Sequence, residues 1–314
     1  MQELMVYAGH LDCYEKCNEI IDKFISVKVS AAQVYRVTDI YGEQIGKITD
    51  QTERTLKPVR KEETLYVEAD GSMIFTRDED WKEVKVGRLF KSGDCIRIDE
   101  KPSQISHSQY IAYLGDSKTF SGQMEELIEA YGVTDSRLVF ISDGAPWIRN
   151  WVEDAFPKAV SILDYYHASE HLCNFAKECF KENDNEKGKK QWLKKQEKLL
   201  LSSKVSIVIK NIETLIKNDC RITIKNAANK LIDYYKSNQH RMDYKKYKTI
   251  GSGIIGSGAI ESAHRTVVQK RMKLSGQRWS KHGAQNMLNL RVVSMNERWD
   301  KIITLSKINF KVAA

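Results

Sequence analysis

The 314-residue chain lacks any long apolar run. No stretch approaches the roughly 20 uninterrupted apolar residues that a membrane helix needs, and the N-terminus lacks the basic-then-apolar plan of a secretory leader. The six cysteines are scattered, without the density or spacing of a disulfide framework or a zinc ribbon. We therefore expect a soluble, cytoplasmic protein with reduced thiols and no membrane partner.

Proline is also scarce, with four in the chain and none after His167. That proline-free part is rich in lysine and spaces apolar residues such as Leu200, Val208 and Ile212 between charged ones, which is typical of helices. Its glycines are concentrated in residues 251–258, where four of eight positions are glycine. A helix through this segment would carry a large entropic cost, so we predict a loop or turn there.

Charge is distributed unevenly along the chain. Residues 1–60 hold 8 Lys/Arg and 9 Asp/Glu, residues 61–170 hold 12 and 21, and residues 171–314 hold 30 and 12. An acidic middle beside a basic C-terminal half suits a protein that holds divalent cations next to a polyanion. The alternative is a chain whose solvated helices simply prefer lysine.

The pattern of residues 61–167 predicts an α/β fold. Strand periodicity begins at Leu65 and returns at residues 82–90 and 109–114; a helix follows at residues 121–131. Residues 137–142 then form a continuous apolar run, as in a strand covered on both faces, followed by a helix from Pro146 and a last strand at residues 159–163. This order is that of a ribonuclease H-like mixed five-stranded sheet flanked by helices, although other α/β folds could accept it.

Four regions follow from these patterns. Residues 1–60 are predicted to be helical, with a capping box at Ser30 and Gln33 and a helix stop at Gly42; they form either a helical hairpin or the remnant of a helix-turn-helix DNA-binding domain. Residues 61–167 form the first part of the core and residues 168–250 an all-helical insertion. Residues 251–314 contain the glycine loop and a helix carrying Glu261, and complete the core.

Three acids are candidates for chemistry. Asp70 and Asp143 are each followed by glycine at the predicted end of a strand, where open α/β sheets bind ligands, and Glu261 could join them from the helix after the glycine loop. Such oxygen ligands suit Mg²⁺ or Mn²⁺, and two ions could activate a hydroxyl for phosphoryl transfer. The alternative for each acid is a turn-capping carboxylate.

Several blocks of the sequence resemble the insertion-sequence transposases of the Kra group. They are Glu68-Ala-Asp70-Gly-Ser, Trp81-Lys-Glu-Val-Lys-Val-Gly-Arg88, Ser142-Asp-Gly-Ala-Pro-Trp147, Ile162-Leu-Asp-Tyr-Tyr-His167, Ile255-Gly-Ser-Gly-Ala-Ile-Glu261-Ser, Arg278-Trp-Ser, Asn289-Leu-Arg291 and Arg298-Trp299-Asp300. The resemblance covers nearly everything from residue 62 onward, in order. It implies a DDE transposase with catalytic, metal-binding acids at Asp70, Asp143 and Glu261.

The resemblance also implies a role for Asp164 and His167, which are similar to the C/D-x-x-H motif of the wider Mutator-like group. There the motif lies beside the active site, and Asp164 could orient His167 toward a phosphate or a carboxylate. A partly buried pair of His167 and His171 is the structural alternative. Because Cys173 also lies nearby, a zinc site of Asp164, His167, His171 and Cys173 is a further alternative.

The basic C-terminal half is expected to contact DNA. Candidate phosphate-binding residues flank Glu261: Arg265, Lys270, Arg271 and Lys273. Trp192 could stack on an unpaired base, or simply pack between helices. The glycine loop could present N–H groups to phosphate or act as a hinge.

Partners implied by the resemblance are DNA, as the element's terminal inverted repeats and the target, and further copies of the chain in a dimer or higher oligomer, in a nucleoid-associated location. The family generally has a longer N-terminal region, so the resemblance also implies a truncated copy. Two other functions stay open at this point: a DNA-binding remnant without catalysis, and a structure-specific nuclease of the same fold.

Overall fold

A computed structural model of the chain shows an α/β fold around a five-stranded mixed sheet. The structure describes residues 1–48, 56–96, 104–180, 186–217 and 221–313, with side chains up to residue 308. Its strands, in chain order, are β1 (Leu65–Thr76), β2 (Asp80–Lys91), β3 (Cys95–Ile96), β4 (Gln104–Ile105), β5 (Gln109–Leu114), β6 (Leu138–Ser142) and β7 (Val160–Leu163). The α/β class and the five-stranded mixed sheet expected from the sequence are thus confirmed; β3 and β4 form a separate two-stranded pair.

The sheet has the strand order β5-β2-β1-β6-β7. β1, β2 and β5 are antiparallel neighbours, whereas β6 runs parallel to β1 and β7 runs parallel to β6. Antiparallel neighbours can be joined directly, but the parallel strands need crossovers, and helices supply them. The carboxyl ends of β1, β6 and β7 therefore point toward one edge of the sheet.

β1 is longer than its sequence pattern predicts. Asp70 was expected at the end of this strand, but β1 continues to Thr76 as one arm of a hairpin with β2. Its pairing with β6 stops earlier, with Glu68 opposite Ile141. Asp70 therefore lies within a strand, two residues beyond the last residue that pairs with β6.

Helices cover both faces of the sheet. Beside β1 and β6, α4 (Ser117–Glu129) and α5 (Pro146–Ala155) bury Phe120, Met124 and Trp151 against Val67 and Phe140. The opposite face packs against α6 (Tyr165–Cys179) and the helices after it. Both faces of β6 are thus covered, which explains its continuous apolar run.

The region described between α6 and residue 251 is helical. It contains α7 (Glu186–Leu201), α8 (Val205–Ile216), α9 (Ile222–Asn238) and α10 (Tyr244–Tyr247). Apolar side chains such as Leu200, Ile212 and Tyr235 join one core with Leu172 of α6 and Ile162 of β7. The insertion therefore packs directly onto the sheet.

The C-terminal part returns to the sheet after the glycine loop. It contains α11 (Gly258–Ala263), a π-helical stretch (His264–Gln269), α12 (Lys270–Met272), α13 (Lys281–Met295) and α14 (Asp300–Ala313). Amide side chains of α13 and of its C-cap residue pair with the outer edge of β5: Gln285 accepts from Leu114 N and Asn296 accepts from Tyr110 N, both at 2.8 Å. An edge strand is thereby covered against pairing with another chain.

The N-terminal helices are α1 (Gln2–Leu11), α2 (Tyr14–Ile25) and α3 (Ala31–Ile48). The capping box is confirmed: Gln33 N donates to Ser30 Oγ at 3.1 Å, and Ser30 N donates to Gln33 Oε1 at 2.8 Å. The expected helix stop at Gly42 is wrong, because α3 continues to Ile48. A Cβ at position 42 would lie 2.4 Å from the backbone oxygen of Asn286, so this glycine permits close packing of α3 on α13.

Within the part of the chain that the structure describes, no helix is both long and apolar enough to cross a bilayer.

Candidate active site

Asp70 and Asp143 lie next to each other at the edge where β1 and β6 diverge. Because Glu68 pairs with Ile141 in the parallel register, Asp70 and Asp143 are each two residues further along their own chain segments. The Asp143 carboxylate is close enough to influence the ionisation of Asp70. The structure therefore brings together two of the three predicted acids.

The Asp70 carboxyl group is held in a site that resists its ionisation. Burial is the main cause, and the carboxylates of Asp143 and Glu83 add to it, so that the pKa of Asp70 is raised to about 6. The Gly71 amide, which donates to Asp70 Oδ1 at 2.7 Å, and His167 act in the opposite direction. A cation would relieve the repulsion between the carboxylates.

Asp143 begins a tight turn that the helical insertion supports. Its Oδ1 accepts from Ala145 N at 2.9 Å, and Gly144 has a φ of 99°, a conformation that favours glycine. Tyr234, on α9, donates its hydroxyl to the Asp143 carbonyl at 2.8 Å. A Cβ on Gly144 would lie 3.0 Å from Leu163 and 3.3 Å from the Tyr234 ring, so the turn is enclosed as well as bent.

Glu261 lies in the first turn of α11 and is exposed. Its charge acts on Glu68, the β1 residue two positions before Asp70. Among the described residues, no three His, Cys, Asp or Glu side chains are close enough together to hold a metal ion. The third predicted acid thus lies near Glu68, and the structure does not bring it together with Asp70 and Asp143.

Glu68 and Arg88 anchor the start of the helix that carries Glu261. The two residues face each other across β1 and β2, with Glu68 Oε2 accepting from Ile260 N at 2.7 Å and Arg88 Nη1 donating to the Ala259 carbonyl at 2.8 Å. Burial raises the pKa of Glu68 to about 8, and Asp164 and Glu261 contribute. The sheet therefore fixes the entry of α11 through one buried carboxyl group and one buried guanidinium.

Asp164 connects the glycine loop to the core, which corrects its expected role. It is buried, caps α6 by accepting from Tyr166 N at 2.8 Å, and accepts from Ser257 Oγ at 2.5 Å. These contacts use the carboxylate for the loop and the helix rather than for orienting His167. The resemblance placed Asp164 beside the site, but its hydrogen bonds are structural.

His167 instead pairs with His171, one turn further along α6. Their Nε2 atoms are 3.2 Å apart and the rings meet edge to face. Burial, together with His167, lowers the pKa of His171. The His171 ring also contacts Tyr234, so this pair lies between the insertion and the two aspartates. The four-residue zinc alternative fails, because Asp164 is committed elsewhere and the described residues contain no such cluster.

The predicted DNA contacts divide into exposed and buried residues. Arg265, Lys270 and Lys273 are exposed, and Lys273 donates to Ser72 Oγ at 2.5 Å beside the acid site. Arg271 is a correction: it is fully buried, donates to the Gly9 carbonyl and packs on aromatic rings, so it holds α1 rather than a phosphate.

Trp192 packs between helices, which was the alternative to base stacking. Its ring is partly buried, 6.1 Å from the ring centres of both Phe175 and Phe180. Helix packing accounts for this side chain without a nucleic acid.

Several residues of the site escaped the sequence analysis: Glu68, Glu83, Tyr234, Arg241 and His264. Arg241 is buried and donates to Ser142 Oγ at 2.7 Å, at the end of β6. Glu68 lies in the same sequence block as Asp70, and His264 follows Glu261 at helical spacing, so both carried a local signal. Tyr234 and Arg241 carried none, because they are distant in sequence from the strands that they contact.

Fold and site together define an α/β protein with paired carboxylates at a sheet edge, enclosed by a helical insertion. A model of the uncharacterised protein family UPF0236 matches residues 3–304, and the chain therefore belongs to that family. A comparison with curated proteins gave no match.

Proposed function

We propose that the chain is a DDE transposase with a ribonuclease H-like core, which cleaves DNA at the ends of a transposon and joins them to a target. The observation that carries the proposal is the pair of carboxylates where parallel β1 and β6 diverge, with the charge of Asp143 helping to raise the pKa of Asp70. The strand order β5-β2-β1-β6-β7, with three antiparallel strands followed by two parallel ones, supports it.

The residues fit a divalent cation in part. Asp70 and Asp143 supply hard oxygen ligands whose mutual repulsion a Mg²⁺ or Mn²⁺ ion would remove, and Glu261 would have to turn toward them from α11. One or two such ions, when bound, would activate a water or a 3′-hydroxyl and stabilise the leaving oxygen of phosphoryl transfer. The protein's own part is to hold Asp70 by the Gly71 amide and Asp143 by its turn.

Exposed cations near the acids support DNA as the substrate. Lys273 contacts β1 next to Asp70, and Arg265 and Lys270 are exposed on the same helical segment as Glu261. A phosphate backbone entering here would meet positive charge on one side and the cation-binding carboxylates on the other. Oligomerisation on DNA is part of the proposal, since two transposon ends must be processed together.

The test uses a duplex carrying the ends of the element that encodes the chain, with Mg²⁺ or Mn²⁺. We expect the wild type to nick it and to join the 3′-hydroxyl end to a plasmid, while Asp70→Asn, Asp143→Asn and Glu261→Gln each abolish both reactions and retain DNA binding. The exposed Glu129→Gln on α4 is the matched control. Unchanged cleavage by Asp70→Asn or Asp143→Asn would disprove the site, and nicking without joining would indicate a structure-specific nuclease.

The position of Glu261 favours a second candidate, a DNA-binding protein without catalysis. Glu261 acts on Glu68, and the described residues hold no three-ligand cluster. For this candidate we expect DNA binding that weakens steeply with salt, with a shallower slope in Arg265→Gln, and no cleavage with either cation. Binding that does not depend on salt contradicts both candidates.

A further inference from the structure

His264 is a buried histidine whose ring has no hydrogen-bond partner although it lies against Asp70. Its side chain is 5% exposed, and both ring nitrogens lack a partner at hydrogen-bonding distance. Asp70 Oδ2 lies 3.5 Å from His264 Nε2, and the Asp70 main-chain carbonyl is also near the ring. Leaving two buried polar atoms unpaired is costly, so the fold maintains this ring here at the expense of stability.

The position of His264 is set by an uncommon piece of backbone. It is the first residue of the π-helical stretch His264–Gln269, which directly follows α11 and its Glu261. Single π turns within helices are rare and occur frequently at functional sites. This one orients His264 toward β1, so one helical segment carries both a proposed metal ligand and the contact to Asp70.

Burial of the His264 ring favours its uncharged form. Burial lowers the pKa of His264 to about 4, and the charge of Lys273 contributes, while the Asp70 main chain and Glu83 act in the opposite direction. A neutral imidazole carries one N–H, on either Nδ1 or Nε2, and the acceptor it faces decides which. Asp70 Oδ2, facing Nε2, favours the Nε2–H form.

We propose that His264 is a positioning residue that donates its Nε2–H to Asp70 Oδ2 when the site takes up a divalent cation, an inference that rests on the proposed metal-binding role of Asp70. The Gly71 amide already donates to Oδ1 at 2.7 Å. With a donor at each oxygen, the carboxylate plane is fixed and a lone pair on each oxygen stays available for the cation. Such support of a ligand typically contributes about 10- to 100-fold to metal affinity.

The experiment measures Mn²⁺ binding to the full chain by calorimetry for the wild type, His264→Phe and His264→Gln. Phenylalanine fills the space without a donor, whereas the glutamine amide can donate from nearly the same place as Nε2. We expect His264→Phe to weaken binding by about 10-fold or more and His264→Gln to restore most of the affinity. Exposed His282→Gln, on α13, is the matched control.

Equal affinity of His264→Phe and the wild type overturns the proposal, and so does a glutamine variant as weak as the phenylalanine variant. Asp70→Asn separates this failure from that of the proposed function. If Asp70→Asn binds Mn²⁺ as the wild type does, the metal-binding role of Asp70 fails and the proposal fails with it. If Asp70→Asn loses binding but His264→Phe does not, only the role of His264 is wrong.

A second measurement does not require a stable variant. ¹⁵N-histidine NMR of the Mn²⁺-free wild type, with diamagnetic Mg²⁺ then added, reports which ring nitrogen of His264 carries the proton. We expect the Nε2–H form, with its proton shifted downfield by Mg²⁺ as the contact to Asp70 closes. The Nδ1–H form, or an Nε2–H signal that Mg²⁺ leaves in place, contradicts the proposal.

Discussion

Residues 61–170 carry 21 acidic and 12 basic side chains, whereas residues 171–314 carry 12 and 30. The first part supplies Asp70 and Asp143, placed side by side by strand pairing. The second part reaches back to hold the same edge of the sheet, with Tyr234 at the Asp143 carbonyl and His264 beside Asp70. Repelling carboxylates can thus be kept together by uncharged or buried groups from a distant, basic part of the chain.

Of the substitutions that test this comparison, removal of the Arg241 contact with the sheet edge is expected to have the largest effect on stability. Arg241→Ala removes the donors to Ser142 Oγ and to the Ile162 carbonyl and leaves a cavity. We expect the free energy of unfolding to fall by about 3 kcal/mol, measured by urea denaturation. The exposed Arg36→Ala on α3 should change it by less than about 0.5 kcal/mol. Equal stability of the two variants would show that the insertion does not hold the sheet edge.

Glu68, in the acidic part of the chain, is expected to make the stability of the protein depend on pH. Its folded-state pKa of about 8 lies above the ordinary 4.5, so between these values the folded protein retains a proton that the unfolded chain has lost. Stability should therefore fall as pH rises from about 4.5 to 8. Glu68→Gln, which keeps an acceptor for Ile260 N, should flatten this slope and be more stable than the wild type by about 2 kcal/mol above pH 8.

Urea denaturation across this pH range checks the Glu68 prediction, with exposed Glu129→Gln as the control. An unchanged slope in Glu68→Gln would mean that this buried carboxyl group ionises as readily in the folded as in the unfolded chain.

Tyr234 tests a single hydrogen bond between the two parts. Tyr234→Phe removes only the hydroxyl that donates to the Asp143 carbonyl and leaves the ring against His171. We expect a loss of about 1 kcal/mol in the free energy of unfolding. Tyr35→Phe, on the exposed face of α3, serves as its control and should be near neutral. Equal losses of stability in both variants would show that this hydrogen bond does not stabilise the fold.

Substitutions in the glycine loop, which lies within the second part, are expected to have the smallest effects. A Cβ at Gly256 would lie 2.3 Å from the Tyr166 ring, which is 66% exposed and can move aside, so Gly256→Ala should cost less than about 1 kcal/mol. At Gly258 no atom lies within 4 Å of the added Cβ, and Gly258→Ala should stabilise by about 0.5 kcal/mol. Thermal unfolding measures the stability of both variants. A Gly256→Ala variant more stable than Gly258→Ala would contradict this description of the loop.

Much of the fold could be predicted because its signals are local. Alternation at Leu65, the apolar run of β6 and the capping box at Ser30 each depend on neighbouring residues, and each matches an observed element. Gly42 shows where prediction from local sequence fails. A glycine at a helix end and a glycine at a helix crossing look alike in sequence, and only the backbone of Asn286 distinguishes them.

For the candidate site, the sequence identified Asp70 and Asp143 as candidate acids, and the pairing of β1 with β6 placed them side by side. The tertiary structure alone decided that β1 continues past Asp70, that Arg271 is buried, and that Asp164 holds the glycine loop. It also brought Tyr234 to Asp143 from 91 residues away. Strand patterns arise from backbone geometry shared by neighbours, whereas burial and long-range partners depend on how whole elements pack, which no short segment encodes.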